Sequence, residues 1–274
     1  MKDIFKDKVA IITGGASGIG RGLCEEISKQ GAIVIVTDIM GEKAKDVADK
    51  ITSKGFRARS EILDVTNKDN VFDLIIKIKK EHGRLDYLFN NAGITIGGEV
   101  RDMTIQQWYK IIDIDLMGAI YGTLAAYPIM IKQHSGHIVN IASVYGLVSL
   151  PLTTAYNTTK FGLVGFSNSL RAEAAGLGVK VSIICPGFIK TNLIDNGVMV
   201  GFSHDELHSV LDFLHMDLNK AVKKILKSVQ KNKSPAVFPL HAKFLWLCMR
   251  YFPLFINISA WIIMKVFRKH YRKD

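Results

Sequence analysis

Continuous apolar runs alternate with longer stretches of helical period along most of the chain. KVAIIT (8–13), AIVIVTD (32–38), RLDYLFN (84–90), GHIVNIA (136–142) and VKVSIICPG (179–187) are rich in β-branched and aromatic residues. Such runs suit strands buried on both faces of a sheet, and ARSEILDV (58–65) reads as a more polar strand of the same set. Between them the apolar spacing changes to that of a helix. Helices are predicted from the glycine-rich turn at 14–20 to Gly31, from Asn67 to His82, and from Thr104 to Gln133. Another contains Tyr156 and ends near Gly176 or Gly178, where glycine is a natural stop. Strict β–α alternation predicts an α/β fold: a doubly wound parallel sheet with right-handed crossovers. No repeat, low-complexity stretch or linker divides residues 1–239, so they read as one domain, with 240–274 as an appended tail.

The tail changes the pattern. Phe244 to Met264 is apolar over about one membrane-crossing length, but Arg250, Pro253, Asn257 and Ser259 interrupt it. Pro253 is expected to split it into two short helices. Residues 240–274 also hold seven Lys/Arg against one acid, Asp274, a net +6 of the chain's +11. A basic excess confined to a tail points to a local anionic partner, not to a nucleic-acid-binding domain. Residues 244–273 therefore suit an anionic membrane surface. The alternatives are helices capping a cleft or a subunit interface, and a full span. The three cysteines, Cys24, Cys185 and Cys248, are far apart and odd in number, which predicts neither a disulfide framework nor a zinc site. With no signal-peptide order at the N-terminus, a cytoplasmic protein, peripheral on a membrane through its tail, is expected.

Candidate chemistry sits at the strand ends. The first strand runs into Thr13-Gly14-Gly15-Ala16-Ser17-Gly18-Ile19-Gly20 and then a helix. Strand, glycine turn and helix N-terminus together form a phosphate-binding arrangement, although the motif alone also fits a generic turn. The second strand ends in Asp38. An acid at this distance can take the two ribose hydroxyls of an adenosine and repel a 2′-phosphate; its alternative role is to cap the helix from Gly41. Arg21 is the one nearby cation weighed against that choice, so NAD(H) is expected over NADP(H). Further on, Tyr156 and Lys160 are four apart and share a helix face, thirteen residues beyond Ser143 at a strand end. An ammonium beside a phenol favours the phenolate, which makes a workable acid–base pair. Taken alone, the same spacing describes an ordinary amphipathic helix.

In order and spacing, TGGASGIG (13–20), Asp38, Asp64-Val65, NNAG (90–93), Ser143, YNTTK (156–160) and Pro186-Gly187 with Thr191 resemble the short-chain dehydrogenase/reductase family over roughly residues 5–195. The resemblance implies a seven-stranded Rossmann sheet. It implies that Gly14, Ser17, Gly18, Ile19 and Gly20 wrap a pyrophosphate, and that Asp64 and Val65 flank the adenine. Asn91, Ala92 and Gly93 would line the cofactor cleft, with Pro186, Gly187, Ile189 and Thr191 at its nicotinamide end. Ser143 would hold the substrate oxygen and Tyr156 would exchange its proton. Lys160 would lower the tyrosine's pKa and bind the nicotinamide ribose. A homodimer or homotetramer is also implied.

One position departs from the family. Asp115, in IDIDL, stands where an asparagine usually helps hold a water that feeds protons to the lysine. Ionised, it accepts but cannot donate, and it would bias Lys160 toward its charged state; the bland alternative is that it only holds helix backbone. Three segments should border the substrate: 94–100, 144–152 and 188–213. They are apolar, which favours a lipophilic secondary alcohol or ketone of steroid, retinoid or fatty-chain type. The competing function is a nucleotide-bound, membrane-recruited scaffold or regulator weakened by Asp115. His134 and His137 read as surface turn residues, His204, His208 and His215 as too loosely spaced for a metal, and Cys24 and Cys185 as core.

Overall fold

The computed structural model describes residues 4–203 and 215–270. Seven parallel strands form the central sheet: β1 (Val9–Thr13), β2 (Ile33–Asp38), β3 (Arg57–Ile62), β4 (Tyr87–Asn90), β6 (Gly136–Ile141), β7 (Val179–Pro186) and β9 (Ala236–Phe238). Their spatial order is β3-β2-β1-β4-β6-β7-β9. The chain winds outward one way from β1 and the other way from β4, with Thr13 beside Thr37 and Ile12 beside Phe89. Successive crossovers therefore diverge above the C-terminal ends of β1 and β4, leaving a crevice there.

Helices cover both faces. α1 (Gly18–Lys29), α2 (Gly41–Thr52) and α7 (Leu218–Gln230) lie on one side, and α3 (Lys68–His82) with α5 (Gly118–Lys132) on the other. The strand pleat sorts the core between them. Val34 and Val36 join Leu23, Cys24 and Ile27 of α1, while Ile35 joins Val71, Leu74 and Ile78 of α3. Both Cys24 and Cys185 are buried in this core. β3, at the sheet edge, is only half-buried and carries Arg57, Arg59 and Glu61, which accounts for its polar sequence.

Four features depart from the sequence pattern. The predicted helix 104–133 is α4 (Ile105–Ile112) and α5 joined by a π-helical turn, Asp113–Met117. Its window Ile105–Lys132 is long and apolar enough to cross a membrane by length and composition, but 44% of it is buried against the rest of the chain. His137 is not a turn residue. It lies 4% exposed in β6, with Nε2 2.9 Å from Ser182 Oγ of β7; the strand begins at Gly136, as the run GHIVNIA predicts, and so includes His137, while His134 does occupy the turn, at φ +50°. β9 was not foreseen because three residues carry no legible period. Neither was the two-stranded ladder of β5 (Ile96–Gly97) and β8 (Val198–Met199). His204 and His208, and residues 204–213 of the expected substrate loop, lie outside the described residues.

The tail divides at Pro253 as expected, into α8 (Leu240–Tyr251) and α9 (Pro253–His270). It also packs on the domain, in line with the capping alternative. Ala242, Leu245, Trp246 and Met249 of α8, spaced i, i+3, i+4, i+7, meet Val144 and Val148. On α9, Phe267 packs edge-on to Phe202 at 5.5 Å, and Arg268 pairs with Glu99 at 2.7 Å.

Candidate active site

A cavity of about 650 Å³ opens above the C-terminal ends of β1, β4 and β6. Thr13, the last residue of β1, ties its two sides together: its hydroxyl accepts the N–H groups of Asn91 (2.9 Å) and Ala92 (3.0 Å). The Asn91 amide in turn donates to the carbonyls of Thr13 (2.9 Å) and Gly14 (3.1 Å). The turn that follows needs its glycines. Gly14 sits at φ +63°, and a Cβ on Gly20 would lie 2.0 Å from the Gly14 carbonyl oxygen. Ser17 precedes α1 without a side-chain cap, and the first turn of α1 has no acid. Its leading N–H groups and partial positive charge are left for an anion.

Asp38 is 7% exposed and lines the same cavity. Its two oxygens accept the N–H groups of Ala16 and Met40, each at 3.0 Å. It does not cap α2, whose N-cap is Met40. The carboxylate is therefore fixed between the glycine turn and the cavity. Arg21 turns aside to Glu25 at 2.8 Å, whereas Lys43, not weighed in the sequence, lines the cavity beside Asp38. Asp64 accepts the N–H and hydroxyl of Thr66, at 2.9 and 2.8 Å, and lines the same end with Val65. Every expected cofactor residue except Gly20 borders the cavity, including Gly93, Pro186, Gly187, Ile189 and Thr191. Gly20 acts from behind, by letting the turn close. An uncapped helix N-terminus, a glycine cradle and a held carboxylate fit a dinucleotide.

The reactive group stands at the centre. Ser143 follows β6 in extended conformation, its hydroxyl accepting the Tyr145 N–H at 3.2 Å. Tyr156 and Lys160, one turn apart on α6 (Thr154–Glu173), are 7% and 4% exposed, with the ammonium 5.3 Å from the phenol ring centroid. Asp115 joins them. The π turn brings its buried carboxylate inward, one oxygen accepting the Ile94 N–H at 2.8 Å and the other 2.9 Å from Lys160 Nζ.

Charges are coupled here. Burial pushes the Asp115 carboxyl above the ordinary carboxylate range, and Lys160 and the Ile94 N–H hold it partly back. For Lys160, burial alone would lower the pKa, but Asp115 and Tyr156 outweigh it and the net direction is upward. Tyr156 is also raised. Burial is the main cause and Asp115 adds to it, while Lys160 and the Ser143 hydroxyl pull the other way. Lys160 thus acts on Tyr156 in the expected sense, but in the protein alone burial outweighs it. Cys185, beneath Lys160, is pushed up to about 12 by burial and is not a nucleophile.

The three expected substrate segments meet above Tyr156. Ile94, Tyr145, Leu152, Phe188, Leu193 and Phe202 line this end, and the tail adds Ile263. The β5–β8 ladder joins two of the walls, and the Gly98 N–H donating to the Leu152 carbonyl at 2.7 Å joins the third. Tyr145 packs edge-on against both Tyr156 (5.9 Å) and Phe188 (6.0 Å), a wedge the sequence did not single out. The charged lining residues are Asp38, Lys43, Asp64, Asp115 and Lys160. Among the described residues, none comes from these walls.

Residues 8–197 match the sequence profile of the short chain dehydrogenase family. An uncharacterized oxidoreductase of Bacillus subtilis, YxjF, is 37% identical over 192 residues, 70% of this chain and 75% of that protein. The 3-oxoacyl-[acyl-carrier-protein] reductase FabG of Haemophilus influenzae is 37% identical over 191 residues, 70% of this chain and 78% of its own. A crystal structure of a short chain dehydrogenase/reductase from Burkholderia phymatum in complex with NAD superposes with a TM-score of 0.79, at 26% identity, over 85% of this chain and 89% of that one.

Proposed function

The chain is a member of the short-chain dehydrogenase/reductase family, and on that premise we propose that it interconverts a lipophilic secondary alcohol and its ketone with NAD(H). The observation that carries this reading is Tyr156 beside Ser143 and Lys160 beneath walls whose described lining residues carry no charge. A bound nicotinamide supplies or takes the hydride; the protein's own part is the proton. In reduction, Ser143 Oγ–H donates to the ketone oxygen and holds it toward the phenol. Tyr156 gives that oxygen its proton as negative charge develops, and takes one back in oxidation. Lys160, charged and paired with Asp115, stabilises the phenolate left behind.

NAD(H) over NADP(H) follows from Asp38. Its carboxylate accepts ribose hydroxyls and repels a 2′-phosphate, and Lys43 only partly offsets that repulsion. The walls favour steroid, retinoid or fatty-chain substrates, since sugars and amino acids would leave their polar groups unpaired. The acyl reductase named among the relatives supports the fatty-chain member of that set. Steady-state turnover on a panel of steroids, retinoids and long-chain alcohols and ketones, with NAD(H) and NADP(H) in parallel, is the test. Turnover of an apolar member with NAD(H) is expected. Activity confined to polar substrates would overturn the lipophilic substrate class, and no activity at all would favour the regulator class.

A further inference from the structure

Residues 240–270 contain Lys243, Arg250, Lys265, Arg268 and Lys269 and no Asp or Glu. Each tail helix uses one face on the domain. The other face of α8 presents Leu240 and Phe244, and Tyr251 and Phe252 stand at the bend, each 66% exposed. On α9 the outward stripe is Leu254, Ile258 and Ile262, at 73%, 50% and 51% exposure, a spacing that keeps them on one helix face, with Trp261 at its edge, where it borders a groove against Pro151, Thr154 and Phe161. Lys265 continues that stripe, its ammonium 3.8 Å from the Trp261 ring centroid. So large a set of exposed apolar side chains is not typical of a surface meant to stay in water.

We propose that the outward faces of α8 and α9 are a membrane-docking surface that lies in the interface of an anionic bilayer. Charge selects this occupant: with Arg268 held by Glu99, Lys243, Arg250, Lys265 and Lys269 complement anionic head groups, whereas a second copy would set four cations against four. Charge, not length, argues against a crossing, since the 18 residues of α9 include Lys265, Arg268 and Lys269. Lysine stems over aromatic rings hold their charge at the head-group level while the apolar side chains enter below it. Ile263, next to the outward stripe, also borders the cavity. On the substrate class proposed above, docking therefore sets the tail-lined wall of the cavity against the source of a lipophilic substrate.

The test uses the full chain, without substrate, sedimented with phosphatidylcholine vesicles with and without phosphatidylglycerol. The protein is expected to pellet with the anionic vesicles at low salt, and 0.5 M salt should weaken binding about tenfold or more. Leu254→Glu with Ile262→Glu should weaken it about tenfold or more. That variant is expected to keep the parent's melting temperature and NAD(H) binding, since neither residue lines the cavity. A full chain that stays in the supernatant with anionic vesicles at low salt overturns the proposal. So does a double variant that binds like the parent, or self-association abolished by these substitutions in a chain that ignores vesicles. Failure of the lipophilic panel would bear on the substrate, because sedimentation is read without one.

Discussion

After burial, Asp115 bears on the protonation of the proposed Tyr156–Lys160 pair, and its effect can be measured. Replacing it with asparagine keeps an acceptor for the Ile94 N–H but removes a buried negative charge beside Lys160 and Tyr156. Both groups are held upward by that charge, so both should release protons at lower pH in Asp115→Asn. Whichever of them the rate profile reports, the rising limb of alcohol oxidation should move to lower pH, with kcat kept or raised. An unmoved limb would show that the carboxylate does not act on the pair. Tyr156→Phe should retain NAD(H) binding and lose roughly 10²–10⁴-fold in turnover, the usual worth of general acid–base catalysis; activity within a few-fold of the parent would remove Tyr156 from the role. Asp38→Ala should narrow the NAD(H) preference in kcat/KM, and Lys43 is then free to meet a 2′-phosphate. Equal kcat/KM for both cofactors in the unaltered protein would sink the preference. The residue types and spacing of Ser143, Tyr156 and Lys160 were legible because the chemistry demands them. The influence of Asp115 on Lys160 was anticipated through the family resemblance, but their direct contact at 2.9 Å was not, because it depends on a π turn that has no sequence period.

At the scale of elements, the strands read best where burial on both faces made them continuous apolar runs, as in β1, β2 and β7. His137 was misplaced because a histidine beside glycine resembles a turn, yet tertiary packing can bury it against Ser182. Burial lowers its pKa from 6.5 to about 3. A depressed value means that the folded state binds fewer protons than the unfolded chain. Its contribution to stability is complete above about pH 6.5 and is lost as pH falls toward about 3. Urea unfolding should therefore show stability falling by roughly 1.4 kcal/mol per pH unit from this group within that window. His137→Gln should flatten that slope, whatever its own stability at neutral pH, and an unchanged slope would assign acid sensitivity to other groups. The β5–β8 ladder, which fixes the substrate walls, escaped notice because two residues per strand show no alternation.

For the molecule as a whole, the doubly wound topology followed from β–α alternation alone, whereas the place of the tail did not. Its sequence supported a cap as well as a membrane surface, and the structure gives α8 and α9 one face on the domain while leaving the other exposed. The two helices should respond differently to removal. Truncation after Phe252 takes away α9 and with it Ile263 and the Arg268–Glu99 pair, so it should raise KM for apolar substrates and leave NAD(H) binding intact. Truncation after Pro239 also strips Leu245, Trp246 and Met249 from Val144 and Val148, directly behind Ser143. That loss of apolar burial should lower Tm by at least about 5 °C relative to the shorter truncation. Equal melting temperatures would mean that α8 contributes no net packing.

The π turn at Asp113–Met117 also makes this helix sensitive to its length. Each α-helical residue advances the chain by about 100° around the axis. Deleting one residue from the turn would let it relax to regular α-helix, about four residues then covering the angle that five cover now, so α4 and α5 would keep their relative rotation. Ile111, fully buried, would keep its packing face, but the wide turn that directs Asp115 to Lys160 and Ile94 would be gone. Substitutions along α4 and α5 can be absorbed side chain by side chain. A change in residue count between Ile105 and Lys132 cannot, so insertions and deletions should be purged from this stretch while single replacements persist.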